Sequence, residues 1–375
     1  MDSGTVVVGL LADAGVPARA GEKAAAELPS VLAAELSDRV TWQVETRRAP
    51  LLLEDDGTIP VFGTADEYRE RHGWDVVVLI TDLPRQVGSR PIVGDFSTAH
   101  GVALVSLPAL GGGLRQQARL RELLVHLIGH LTEDDLGIDP HARGRPPYGR
   151  TAWRLGESID PTRHIPPALT DVNAHLVLTG VRGRLRLLAG MVHDNQPWRL
   201  LPHLTSATAA AAATSAFGIF YSTIWTMAEA LPLWRLALIS ILAIAAMVGW
   251  LIAYNNLWDR SSGPGHTRQT FLYNASTTIT LTISVACMYA TLYVLALVAA
   301  ATIIDEGYLS SKVGHPVGAG DYAILVWLSC SMGIVAGALG SNLDGEEAVR
   351  QATYSRREQV RQARKRAREE AEDAR

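Results

Sequence analysis

Residues 233–254 read LWRLALISILAIAAMVGWLIAY. This run carries one charge, Arg235, near its start, and it exceeds the ~20 apolar residues a helix needs to cross a ~30 Å hydrocarbon core. An arginine so close to the end can keep its stem on apolar surface and its head at the lipid headgroups. Three more stretches read alike: Ala207 to Ala228, Ala275 to Ile304 and Tyr322 to Leu339, none with a charge at its centre. A soluble core helix would account for any one of them. Four in succession predict a transmembrane block. Pro232, in the tight connection between the first two, predicts an antiparallel hairpin.

The chain has 375 residues, 48% of them hydrophobic and 19% charged, with a formal net charge of -4. These averages merge unlike parts. Residues 1–203 hold 46 of the Asp, Glu, Lys and Arg side chains, residues 204–343 hold 9, and residues 344–375 hold 17. A disordered chain and a strongly basic nucleic-acid binder are excluded, so a lipid bilayer and not nucleic acid is the expected partner. Two cysteines exclude a disulfide scaffold and a Cys-rich zinc module.

Orientation follows from Lys and Arg in short loops. Arg260 and Arg268 lie between the second and third spans. Lys312 alone, beside Asp305, Glu306 and Asp321, lies between the third and fourth. The tail is rich in bases, and Arg182, Arg184, Arg186 and Arg199 precede the first span. These positions predict a multi-pass protein of the cell membrane with both termini cytoplasmic. The opening residues lack the basic and apolar regions of a signal peptide.

Inside the spans, Ser276, Thr280, Ser284 and Thr291 fall near one face of the third helix. They would serve as a polar pathway or as interhelical hydrogen bonds, and the uncharged span centres favour the bonds over a channel or carrier. Ser329, Gly333, Gly337 and Ser341 recur every four residues in the fourth span, a spacing that lets helix backbones approach closely. The pattern fits packing within one chain as well as a homo-oligomer.

Residues 1–134 alternate strand and helix. Thr5 to Leu11 reads as a buried strand, Arg19 to Leu36 as a helix and Arg39 to Thr46 as a half-buried strand. Helical turns are expected over 65–72. Asp75 to Thr81 and Val102 to Leu107 are further strands, and Leu114 to Leu131 is an amphipathic helix. This is an α/β cytosolic domain, a zincin-like or Rossmann-like layered sheet. It offers three sites to weigh. Gly111-Gly112-Gly113 would cradle phosphate at a helix N-terminus, but no nucleotide-binding spacing accompanies it, and a plain turn is the preferred reading. The loop from Asp82 to Asp95 holds Asp82, Arg85, Arg90 and Asp95, which would bind an anionic ligand or pair with one another to fix the loop; it follows a strand whose carboxyl end favours ligands. His126 and His130, at i and i+4, are spaced to chelate one metal. They lie opposite the apolar face of Leu120, Leu124, Leu127, Ile128 and Leu131, so a solvated polar face competes with the metal site.

The strand VALVSL followed by the helix bearing HLIGH resembles the zincin fold, and the archaemetzincin group most closely, over about residues 1–134. The resemblance implies zinc on His126 and His130. It also implies a glutamate after the first histidine as general base, where this chain has Leu127. The longer pattern of that group calls for Gly and His where this chain has Glu133 and Leu136; His141 is the remaining candidate ligand. Hydrolysis by this mechanism is therefore not expected, no cofactor is called for, and zinc is the one candidate. The whole chain, with its TDLP and SLPALG segments, also resembles multi-pass membrane proteins of high-GC actinobacteria, which implies no assigned activity.

Residues 135–168 read as a Pro/Arg-rich linker. Residues 169–203 read as a juxtamembrane segment, with an amphipathic helix from Leu169 to His193 whose stripe is Val177, Val181, Leu185, Leu188 and Val192. That stripe would lie in the headgroup plane or pack on the N-terminal domain. Residues 204–343 are the four transmembrane helices, and 344–375 a charged cytoplasmic helix. In the tail, Arg361, Arg364, Lys365, Arg366 and Arg368 would favour anionic lipid. The expected role is a non-enzymatic membrane-anchored sensing, scaffolding or regulatory protein with a protein partner. The alternatives are a membrane-tethered metal-dependent hydrolase and a channel or transporter.

Overall fold

The computed structural model describes residues 4–49, 60–87, 90–113, 115–132, 159–162, 174–178, 180–200, 202, 204–259 and 267–343. The chain divides into two compact units, one ending its first segment at Asp194 and the other beginning at Asn195.

The first unit is built on a mixed sheet. In chain order it has β1 (Thr5–Ala12), α1 (Val16–Glu35), β2 (Thr41–Arg48), α2 (Val61–His72), β3 (Val76–Thr81), β4 (Arg85–Val87), β5 (Arg90–Ser97) and β6 (Val102–Ser106). A 3-10 turn (Leu107–Leu110), α3 (Gln116–Leu131), β7 (Ile159–Thr162), β8 (Ala174–Leu178) and α4 (Gly180–Asp194) follow. The sheet order is β2-β1-β3-β6-β5-β8-β7, with β4 paired to β5. β2, β1, β3 and β6 run parallel, and β5 then pairs antiparallel with β6. β3 is buried along its whole length, as a strand covered on both faces must be, which explains its unbroken VVVLI run. In β1, a Cβ on Gly9 would fall 1.9 Å from Trp74 Cε3. Only glycine lets the indole lie against that strand.

Four elements differ from the sequence reading. The segment 82–95 is a hairpin arm and not a loop, because β4 and β5 pair and β5 extends the main sheet. Part of the expected linker, Ile159–Thr162, is a strand paired with β8. The helix expected over 169–193 starts only at Gly180, since Ala174–Leu178 is β8, paired with β5. Periodicity cannot separate a short, fully buried strand from a buried helix segment when both carry Val and Leu. Finally, the helix turns expected at 65–72 form a full helix from Val61.

The second unit has α5 (Thr205–Phe220), α6 (Ser222–Ala230), α7 (Leu233–Tyr254), α8 (Thr267–Ile303), α9 (Glu306–Val313) and α10 (Ala319–Gly340). Three helices are long and apolar enough to cross a membrane: Leu233–Tyr254, Thr270–Ile303 and Ala319–Gly340. The expected first span is not one straight helix. α5 and α6 meet at 87° across Tyr221, whose extended backbone ends the first helix. The carbonyl of Ile219, freed by that break, accepts a hydrogen bond from Trp225 Nε1 at 2.8 Å. An indole thus satisfies a backbone group that lipid would leave bare.

Polar side chains join the helices of this unit. Ser240 of α7 and Ser331 of α10 are 2.9 Å apart, Trp327 Nε1 donates to Ser240 Oγ, and Tyr289 of α8 donates to the Trp327 carbonyl at 3.1 Å. The charged tail, including Arg361, Arg364, Lys365, Arg366 and Arg368, lies outside the described residues.

Candidate functional site

The strand order reverses beside β1. The chain passes from β1 to β2 on one side and returns to β3 on the other. Ligands in open α/β sheets favour the carboxyl edge at such a reversal. Two buried acids stand there, Asp13 just after β1 and Asp82 just after β3. The edge is tied by local bonds: Asp13 N donates to the Ile80 carbonyl at 3.0 Å, and Ser106 Oγ donates to the Leu83 carbonyl at 2.7 Å.

A third buried acid, Asp194, comes from the last turn of α4. Gln116 Nε2 donates to its Oδ1 at 3.3 Å, while its Oδ2 is buried and has no hydrogen-bond partner among the described residues. Burial pushes the Asp194 carboxyl up to about 8; the Gln116 bond works against this and the Asp82 carboxylate reinforces it. Asp194 is therefore mostly a neutral acid near pH 7, a group that can donate as well as accept.

A second polar centre spans β4, β5 and β8. Asp95 of β5 pairs with Arg85 of β4 and with His175 Nδ1 of β8 at 2.6 Å. Burial opposes the charge on Asp95, but the Arg85 guanidinium and the His175 ring outweigh it and hold the carboxyl below its ordinary range. His175 Nε2 is buried and has no hydrogen-bond partner among the described residues. Of the four residues singled out on this segment, Arg85 and Asp95 form an ion pair. Asp82 belongs to the carboxyl edge with Asp194, and Arg90 begins β5 with an exposed side chain. Arg85 is matched by a carboxylate on its own sheet, the ionic pairing that was one of the two uses open to this segment.

The histidine pair sits on α3. The rings of His126 and His130 lie 4.7 Å apart, edge to face, and His130 stacks on Phe96 of β5 at 5.2 Å. The expected solvated face is thus corrected: both rings are half-buried, because β5 reaches across the helix. Burial, with His130 adding to it, pushes the His126 imidazole down to about 3, so it stays neutral and able to ligate. Leu127, where the resemblance implies the general base, is fully buried and its Cδ1 would touch a Cβ on Gly94 at 3.6 Å. Among the described residues no group of three or more His, Cys, Asp or Glu is placed to hold a metal. Glu133, Leu136 and His141 lie outside them. Two imidazoles thus stand side by side, with no third ligating residue beside them among the described residues.

In the Gly111-Gly112-Gly113 turn, Gly111 N donates to the Pro108 carbonyl at 3.0 Å, and Gly111 and Gly112 lie against α4, while Gly113 is exposed. A Cβ on Gly112 would lie 2.6 Å from His193 Cβ, and one on Gly190 would lie 1.9 Å from the Pro108 carbonyl oxygen. The glycines let α4 seat against the strand-to-helix turn.

In the second unit, Ser329, Gly333 and Gly337 face α5. Cβ atoms there would meet Ser215 Oγ at 2.1 Å from Gly333 and the Ala207 carbonyl at 2.9 Å from Gly337, and Gly218 of α5 meets Ser329. Ser341 is buried beyond the end of α10 and donates to the Ala338 carbonyl. The small-residue stripe therefore packs within the chain. Ser276, Thr280 and Ser284 of α8 are buried, and Thr291, two turns further along, is exposed. Asn195 Nδ2 donates to Thr280 Oγ1 at 3.2 Å, and Ser284 Oγ donates to the Pro197 carbonyl at 2.7 Å.

No family model, curated protein or solved structure matches this chain.

Proposed function

We propose that this chain is a non-enzymatic, multi-pass protein of the cell membrane whose N-terminal α/β unit is a cytosolic binding or regulatory module. The observation that carries the non-enzymatic part is Leu127. It is fully buried where metal-assisted hydrolysis needs a proton acceptor, and a leucine cannot supply one. The membrane part is supported by three helices of spanning length, with the bent α5–α6 pair counted as a fourth span. An even number of crossings puts both termini on one side, and the arginines at 260 and 268 assign that side to the cytoplasm.

A degenerate zincin-like ancestry fits this reading. The helix after the last parallel strand bears the histidine pair, as the resemblance implies. The adjacent imidazoles also support a second reading, a membrane-tethered metal-dependent hydrolase. Metal analysis of the purified full-length protein separates the two. The first reading expects zinc below one equivalent and no hydrolysis of peptide substrates. Stoichiometric zinc that is lost in His126→Ala with His130→Ala, together with zinc-dependent hydrolysis, would overturn it. A channel or transporter is the least supported, since the hydroxyls of Ser276, Thr280 and Ser284 are engaged inside the unit.

A further inference from the structure

The stripe on α4 has two candidate uses at the sequence level, packing on the sheet domain or lying on lipid. The structure assigns them to different faces. Gly183, Leu187, Gly190 and Met191 are buried on the inner face, where Gly190 lets the helix close on Pro108. Val192, near the far end of the helix, is buried; before it the opposite face carries Val181 at 69% and Leu185 at 59% exposure, with Leu188 half-buried beside them. At about 100° per residue these three fall on one strip, and the exposed Arg182 and Arg184 fall on its two flanks. A helix that is apolar on both faces and still open on one side lacks a covering layer.

We propose that this outer face of α4 docks in the plane of an anionic phospholipid bilayer, with Val181, Leu185 and Leu188 in the acyl boundary and Arg182 and Arg184 on lipid phosphates. The charge pattern is that of an interfacial helix, an apolar strip between basic edges. Chain continuity supports the same surface. Asn195 follows α4 directly and is hydrogen-bonded to Thr280 of α8. α8 has 37 residues, about 55 Å of helix at 1.5 Å per residue, against a core of ~30 Å. If its far end leaves the bilayer near Asp305, the level of Ser276 and Thr280 is the near headgroup layer. Trp198, three residues after Asn195, is 53% exposed, as suits an aromatic at that layer. This proposal rests on the membrane-spanning reading of α7, α8 and α10. It does not depend on whether the histidine pair binds metal.

The test uses the full-length protein reconstituted in vesicles. Cys287 is replaced by Ser and the buried Cys330 is left in place. A polarity-sensitive fluorophore is attached at Ala189→Cys on the exposed face, with Lys23→Cys as a control site. In phosphatidylcholine mixed with phosphatidylglycerol, emission at 189 should shift to the blue and be quenched by headgroup-level spin-labelled lipid. Emission at 23 should not respond. Arg182→Glu with Arg184→Glu should lower the docked-to-undocked ratio about thirtyfold, at ~1 kcal/mol per basic residue, and Val181→Ser with Leu185→Ser should also reduce it. A probe at 189 that stays unquenched in the acidic mixture overturns the proposal. Equal quenching in phosphatidylcholine alone overturns its anionic-lipid assignment. A probe shielded in lipid-free detergent, with a dimer mass, assigns the face to a second copy of the chain instead. Failure of the protein to integrate into vesicles would refute the underlying membrane reading, and is distinguished by flotation without any probe.

Discussion

Asp194 and Asp95 are both buried carboxyls, and their surroundings drive them in opposite directions. Burial, with the Asp82 carboxylate adding to it and the Gln116 amide opposing it, holds the Asp194 proton up to about 8. Between the ordinary carboxyl range and that value the folded state keeps a proton that the unfolded chain gives up. Stability is thus fully present at acid pH and falls as pH rises toward 8. Asp194→Asn should flatten this dependence and raise the stability of the sheet unit at pH 9 by at least about 1 kcal/mol, read from thermal unfolding of the detergent-solubilised protein; an unchanged pH profile would contradict the buried neutral acid. Asp95 behaves conversely. Its lowered pKa supplies stability above the ordinary carboxyl range, lost as pH falls through the folded value. Asp95→Ala strands Arg85 and His175 in the same clasp and should cost about 3–5 kcal/mol, measured by the same unfolding. Neither role is legible from residue types alone. Arg85 and Asp95 belong to one sequence segment, but His175 comes from a strand eighty residues away whose AHLVL pattern gives no sign of a partner. Asp194 reads as an ordinary polar residue ending a helix until α4 is folded back over Pro108.

At the scale of elements, close approach between backbones fixes the packing of both units. Gly190→Ala would place a methyl group 1.9 Å from the Pro108 carbonyl oxygen, so α4 must move off the turn; a loss of about 1–3 kcal/mol is expected, with faster hydrogen exchange across 107–113. Gly333→Val should likewise separate α10 from α5 and lower the thermal stability of the solubilised protein, whereas Gly249→Ala, which meets nothing within 4 Å, should not. The four-residue spacing in α10 was readable because it repeats along one helix. The break at Tyr221 was not, because α5 and α6 are both apolar and neither Gly nor Pro lies at the junction. The core of α3 was legible for the opposite reason: Leu120, Leu124, Leu127, Ile128 and Leu131 share the helical period and all are buried. The same periodicity left His126 and His130 looking solvent-facing, since β5, the strand that covers His130 with Phe96, starts inside a segment rich in Arg, Gly and Pro.

For the whole molecule, the uneven distribution of charge is the strongest organising feature. Residues 204–343 carry nine charged side chains, and those outside Arg235 lie at helix ends or in connections. On one end of the second unit Glu229 pairs with His315, and Asp305, Glu306, Lys312 and Asp321 cluster around α9. On the other end of α7 and α8 the connection carries Arg260 and Arg268. In the proposed topology the first end lies outside the cell and the second end, like the N-terminal segment, in the cytoplasm. Sided labelling in intact cells tests this most directly, using Ser311→Cys and Lys23→Cys, each in a Cys287→Ser background, and a membrane-impermeant maleimide. The prediction is that Ser311→Cys labels in intact cells and Lys23→Cys labels only after permeabilisation. Labelling of Lys23→Cys in intact cells, or protection of Ser311→Cys until permeabilisation, would contradict it.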